Sequence, residues 1–172
     1  MSIKGIIFDN QIPTAKGLRG GFHSALTDGI IEGCPITYQG SIVTIGSGLM
    51  NVAGGIFQIS GSESVSVSGT SGFARVKAVL DLTRDSSDSE HFNQVYFAVD
   101  YASSATGFTE LTQDAVNTGG GTTYEAEICV VGLSANGIAN LTRYSAAGPK
   151  IMYGDTLPAT APEGTIFLLK AQ

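Results

Sequence analysis

The chain has 172 residues, is 42% hydrophobic and carries a net charge of −6 from 15 acids and 9 bases. That length suits one domain, or one domain with a small appendage, and supplies enough apolar material for a continuous core. The bases are scattered singly, which argues against a phosphate-binding surface and against adsorption to anionic lipid, so neither nucleic acid nor a membrane is an expected partner.

No apolar run approaches the ~20 residues of a membrane span. The opening, Met-Ser-Ile-Lys-Gly-Ile-Ile-Phe-Asp-Asn, has one base and an apolar run too short for a signal peptide, broken by Asp9. The chain is therefore expected to fold where it is made. With 23 Gly and only 14% charged residues, it favours many short strands and tight turns over long surface helices.

Residues 3–8 form a short apolar segment that reads as a first strand, and residues 13–20, with Pro13 and two Gly, read as connector. Phe22, Ala25 and Leu26 follow at the spacing of one helical face, which predicts a helix of about two turns docked by Phe22 and Leu26. Gly29 stands where a left-handed cap would end it. The period then changes. Residues 36–40 and 41–46 read as two short strands around a Gly turn, 56–60 as another, and in 62–69 Glu63, Val65 and Val67 alternate with serines.

The strongest pattern is residues 73–82. Ala74, Val76, Ala78, Leu80 and Leu82 alternate with Arg75, Lys77 and Asp81, which predicts a strand with one dry face and one wet face. The polar stretch 83–90 reads as a hairpin loop, and 92–101 alternates again with Val95, Phe97, Val99 and Tyr101 inward. Residues 102–121 form a long mixed loop with a short strand expected near 108–111; loops of that length are commonly functional or mobile. Residues 123–131 give a third strong strand, on which Glu125 and Glu127 could face Arg75 and Lys77. Ser134-Ala-Asn-Gly137 is a hairpin-turn signal, because Asn-Gly tolerates two positive φ values. Residues 138–144 would be its return strand, and 150–153 and 165–169 are late short strands.

The expected fold is all-β, an antiparallel β-sandwich or jelly-roll-like arrangement of about ten strands with one short N-terminal helix. Residues 1–30 would be an arm carrying the helix and 31–172 the β-sandwich domain; one continuous domain is the alternative.

Reactive side chains are few. His23 and His91 are the only histidines, and Ser24, adjacent to His23 on the expected helix, does not face it. No nucleophile elbow occurs, and no nucleophile–base–orienter set is apparent. The loop Asp85-Ser-Ser-Asp-Ser-Glu90 offers oxygen ligands but lacks the EF-hand spacing, so it reads as a solvated turn. Cys34 and Cys129 are too few for a zinc set or a secreted disulfide scaffold, and read as two reduced, buried side chains, with one bridge between them as the alternative. Gly119-Gly120-Gly121 lacks the Lys of a phosphate loop, and Asn140-Leu-Thr142 matches a glycosylation sequon within a strand. Tyr38, Tyr96, Phe108, Tyr144 and Tyr153 could build a sugar platform, although such rings more often fill the core. No catalytic, metal-binding or cofactor-binding residue is assigned.

Two runs remain, Phe22-His-Ser-Ala-Leu-Thr-Asp-Gly-Ile-Ile-Glu-Gly-Cys-Pro-Ile-Thr-Tyr-Gln-Gly-Ser and Val43-Thr-Ile-Gly-Ser-Gly-Leu-Met-Asn-Val-Ala-Gly-Gly-Ile-Phe. Together they resemble structural proteins encoded in phages and prophages of Gram-positive bacteria, in which a short helix ending in Gly leads into a small β unit of the tail or baseplate. The likeness covers about residues 15–60. It departs from the pattern at Gly55, where such proteins often carry Arg, so no role of that base is carried over. The resemblance implies a non-enzymatic virion protein of the tail fibre or baseplate, made and assembled in the bacterial cytoplasm. Its expected partners are copies of itself, a trimer suiting tail fibres, other virion proteins, and a cell-wall saccharide in host attachment. The alternative is a β-sandwich carbohydrate-binding module. A small hydrolase is a third reading, which needs a pocket converging on His23 or His91.

Overall fold

A computed structural model describes residues 15–84, 93–149, 151–154 and 166–169, the last two stretches as backbone only. The expected strand at 3–8, His91 and the Asp85-to-Glu90 loop lie outside the described residues. Among the described residues the protein is mostly β, with 54% of them in strands, three antiparallel sheets and one short helix.

Helix α1 (Ala15–Ala25) opens the described chain. It starts inside the segment expected as connector, because Pro13 precedes it and Ala15, Lys16, Leu18 and Arg19 are good helix formers that carry Gly17 and Gly20. The docking expected of Phe22 is only partial: no helix residue is buried, and Leu18 and Phe22 are 39% and 43% exposed. Nor does Gly29 cap the helix. The turn closes with Leu26 N–H donating to the Phe22 carbonyl, and Gly29 instead begins the first strand.

Six short strands follow: β1 (Gly29–Gly33), β2 (Ile36–Gln39), β3 (Ile42–Ile45), β4 (Gly48–Val52), β5 (Gly55–Ile59) and β6 (Glu63–Ser66). They form two three-stranded sheets, ordered β1-β4-β5 and β2-β3-β6. The pairing shows what they are physically: three longer strands, each bent once, in an antiparallel meander. The Cys34 N–H donates to the Ser47 carbonyl at 2.8 Å and the Gly46 N–H to the Pro35 carbonyl at 2.9 Å, so the ladder carries on across the bend between the first two. The bend itself is local chemistry. Pro35 has no N–H for the ladder, and Cys34 sits in the left-handed region at φ 48°. The turn at Gly40, φ 57°, joins β2 to β3 as expected.

The second layer is a four-stranded sheet of β7 (Phe73–Asp81), β8 (Val95–Ala102), β9 (Thr123–Ser134) and β10 (Gly137–Tyr144), in the order β10-β9-β7-β8. Buried side chains of both layers, Val43, Met50, Val76, Leu80, Ile128 and Val131 among them, form one cluster. Each such residue contributes roughly 1.5–3 kcal/mol, against about 0.2–1 kcal/mol for a cross-strand charge pair. The apolar faces therefore decide which strands meet, and the charges refine the register.

Four expectations change here. β7 is buried on both faces rather than one, with Arg75 only 6% exposed. The cause is the segment 103–122, which lies over the charged face of the sheet and contains no strand at 108–111, only a bridge from Gln113 to Tyr124. The β9–β10 hairpin forms where expected, but Ala135 and Asn136 make the turn and positive φ is confined to Gly137, at 105°. Finally, β11 (Ile151–Gly154) and β12 (Ile166–Leu169) pair in parallel, apart from the antiparallel sheets.

One side of the two layers is stitched shut. The Ile138 N–H donates to the Gly40 carbonyl at 2.7 Å, Ile30 N–H to Ser145 at 2.9 Å, Ala147 N–H to Ile30 at 2.7 Å and Thr27 N–H to Gly148 at 2.9 Å. Two glycines permit this approach. A Cβ on Gly29 would lie 2.4 Å from the Ser145 oxygen, and one on Gly137 would lie 2.4 Å from the Gly40 oxygen.

Candidate functional site

Three places gather polar or accessible chemistry. The first surrounds Asp28, between α1 and β1. Its Oδ1 accepts the Ala53 N–H at 2.7 Å and its Oδ2 accepts the Tyr124 hydroxyl at 2.9 Å. Ala53 turns the β4–β5 hairpin at φ 50°, a strained value for a residue with a Cβ, and its carbonyl accepts Asn117 Nδ2 at 2.7 Å. Asn51, fully buried, donates from Nδ2 to the Thr27 carbonyl. The His23 ring stands edge-on to Tyr124, centroids 5.6 Å apart. Burial, and then the charge of Asp28, push the Tyr124 hydroxyl well above its ordinary range, so it keeps its proton and donates. The group ties five segments together. Ser24, meanwhile, donates its hydroxyl to the Gly21 carbonyl within the helix.

The second place is the charged face of the four-stranded sheet. Arg75 Nη2 pairs with Asp100 at 2.6 Å, and Lys77 reaches Asp100 at 3.1 Å and Glu125 at 2.6 Å. The expected facing of Arg75 and Lys77 with Glu125 and Glu127 therefore holds for one pair. Arg75 lies opposite Val130 on β9, where there is no acid, and opposite Asp100 on β8. Glu127 is taken by Arg143 of β10 through two hydrogen bonds of 2.7 and 2.9 Å. Burial works against the charge of Asp100, but hydrogen bonds from Arg75 and Lys77 outweigh it and hold this carboxyl below the usual carboxylate range. The same network fastens the covering segment: Arg75 donates to the Thr109 carbonyl, Arg143 to that of Ala105, and Thr112 N–H to Glu125.

The third place is the side of the two layers opposite the stitched one. There β8, β5 and β6 are the outer strands of their sheets, and among the described residues each hydrogen-bonds on one side only. They bound an open groove of about 1270 Å³, lined by Ile56, Phe57, Val65, Val95, Phe97 and Val99 with the serines of 60–66 and the single acid Glu63. A smaller apolar recess of about 310 Å³ adjoins it, where Leu18 and Phe22 of α1 meet Ile56, Phe57 and Val95.

The remaining expected residues are distributed elsewhere. Cys34 and Cys129 are both buried and free, so no bridge forms. Burial, helped by Glu127, pushes the Cys129 thiol up to about 12. Among the described residues no three His, Cys, Asp or Glu side chains gather as a metal site, and no helix is long and apolar enough to cross a membrane. Of the aromatic platform, Tyr38 and Tyr144 are exposed, at 41% and 60%. Tyr96 and Phe108 each carry a guanidinium on the ring face, Arg84 at 3.6 Å and Arg75 at 4.9 Å. The side chain of Tyr153 is outside the described set. Gly119 offers its carbonyl to Lys16 of α1, and Asn140 and Thr142 bond one another on β10.

Sequence reasoning missed Asp28, Asn51 and Asn117, and it placed Tyr101 inward although the residue is half exposed. Asn51 was the readable one, a lone amide inside the apolar run 49–53. Tyr101 is 48% exposed and its hydroxyl accepts the Ser68 N–H, pinning the end of β8. No protein-family model matches this chain, and no curated protein matches it.

Proposed function

We propose that this chain is a non-enzymatic structural protein of a phage or prophage virion, a part of the tail fibre or baseplate that assembles with copies of itself and with neighbouring virion proteins. In this reading the two layers act as a β-sandwich left open along one side. The observation that carries the self-assembly is the open groove: three sheet edges without a hydrogen-bonded neighbour strand on that side among the described residues, and an apolar lining, converge there. Such edges pair with other chains unless they are covered or charged. The link to virions rests on the resemblance of residues 15–60 to tail and baseplate modules. Light scattering on the purified chain tests assembly: an oligomer supports the reading, and a monomer at high concentration overturns it. Mass spectrometry of purified particles tests the location.

A carbohydrate-binding module is the second reading, favoured by the exposed rings of Tyr38 and Tyr144. It predicts that the monomer binds glycans on an array and that Tyr144→Ala abolishes the signal.

A further inference from the structure

We infer that the outer edge of β8 pairs, antiparallel, with β8 of a second copy of this chain across a two-fold axis centred on Ala98, joining two four-stranded sheets into one of eight. The inference rests on the self-assembling reading above and names its interface.

The β8 edge lacks the usual protection against pairing. Natural sheet edges are blunted by Lys, Pro, bulges or short length. β8 has none of these. Its eight residues, Val-Tyr-Phe-Ala-Val-Asp-Tyr-Ala, contain no Lys and no Pro, and they pair with β7 over eight successive positions without a register shift. Its other edge has no partner among the described residues. By contrast β10, the opposite edge of the same sheet, carries two register shifts and Arg143, and is stitched to the meander at both ends.

Charge is compatible with a second copy as the occupant. The chain is acidic, so two copies repel in general. On β8, however, the one charge is Asp100, and Arg75 and Lys77 already hold it within the copy. Two β8 edges therefore meet without opposed free charges. A two-fold axis perpendicular to the sheet keeps the inner faces on one side. Centred on Ala98, it sets Phe97 against Val99 and Val95 against Tyr101 of the partner copy, extending the apolar lining of the groove across both copies. Ala98 itself has the smallest side chain at the crossing. β5 and β6 are weaker candidates: they have five and four residues, and Ser60–Gly61–Ser62 separates them.

Mass is read first, by light scattering. An even-numbered oligomer is expected. A trimer overturns the two-fold pairing while leaving the self-assembling reading intact, and a monomer overturns both. Two variants then locate the contact. Ala98→Glu, opposite Lys77 of its own copy and checked for retained folding by circular dichroism, sets two carboxylates against each other at the axis; dissociation is expected to rise at least about tenfold. Ala98→Cys places an accessible thiol at the axis of a chain whose own two cysteines are buried. Mild oxidation should give a covalent dimer, whereas Tyr144→Cys on β10 should not. An oligomer indifferent to Ala98→Glu, or an Ala98→Cys protein that stays uncross-linked, overturns the inference.

Discussion

The two sides of this molecule join the same two layers by different means. On one side, main-chain hydrogen bonds run from β10 and the segment 145–148 to residues 27–30 and 40, and the backbones touch because Gly29 and Gly137 have no Cβ. On the other side, β5, β6 and β8 face a groove and leave backbone groups without partners among the described residues. The lesson is that closing a β-layer pair needs more than apolar inner faces, which both sides possess. It needs positions where two backbones can come within hydrogen-bonding distance, and Gly29 and Gly137 supply them on the stitched side.

The largest effect should come from breaking the closed side. Gly29→Ala places a Cβ 2.4 Å from a carbonyl oxygen at φ 132°, so a loss of roughly 3 kcal/mol or more is expected in denaturant unfolding. A wild-type midpoint would mean that the stitch contributes nothing to closure. Next is Asp28→Ala, which removes acceptors from the strained Ala53 turn and from the buried Tyr124 hydroxyl; about 2–4 kcal/mol is expected from two lost hydrogen bonds and an orphaned donor. Tyr124→Phe introduced together with Asp28→Ala should recover part of that loss, since the orphaned hydroxyl is then absent.

The pH dependence separates the sides further. The Asp100 carboxyl, held below its ordinary range, contributes stability that is present above about pH 3.9 and lost as pH falls through its lower folded value. That loss should loosen β8, which Asp100 ties to β7. Lys77 runs the other way. Burial disfavours its charge, but hydrogen bonds to Glu125 and Asp100 outweigh that and raise its pKa, so its contribution is present below about pH 10.4 and lost as pH rises through the folded value. Tyr124, also raised, adds to the alkaline loss at the Asp28 cluster. Amide exchange should therefore report β8 opening first in acid, and residues 27–30 loosening in alkali.

The smallest effect belongs to the groove. Ile56→Ser removes an apolar side chain that is 45% exposed, so the stability of the single copy should change by no more than about 0.5 kcal/mol. A drop of several kcal/mol would mean that this side is already sealed.

Much of the strand content was legible in the residues. The alternation of 73–82, 92–101 and 123–131 located β7, β8 and β9, because a strand that buries one face must repeat with period two. The turn at Gly40 and the hairpin at 134–137 were equally local. What alternation could not convey is whether the polar face stays wet. Arg75 and Lys77 looked solvated because their own strand says nothing of the segment 103–122 that covers them, whose Thr109 accepts from Arg75 across 34 positions. Likewise the Asp28–Tyr124 hydrogen bond joins residues 96 positions apart, a juxtaposition with no local signature.

The chain's own pattern of apolar, polar and glycine residues was enough to specify a β protein, the positions of its main strands and several of its turns, since these depend on neighbours within a few residues. Folding in three dimensions settled the rest: which charges are buried, where six short strands join into three bent ones, and which side of the layers is sealed. Those outcomes depend on contacts between residues far apart in the chain, where the fit of one backbone against another, not the preference of any one segment, sets the free energy.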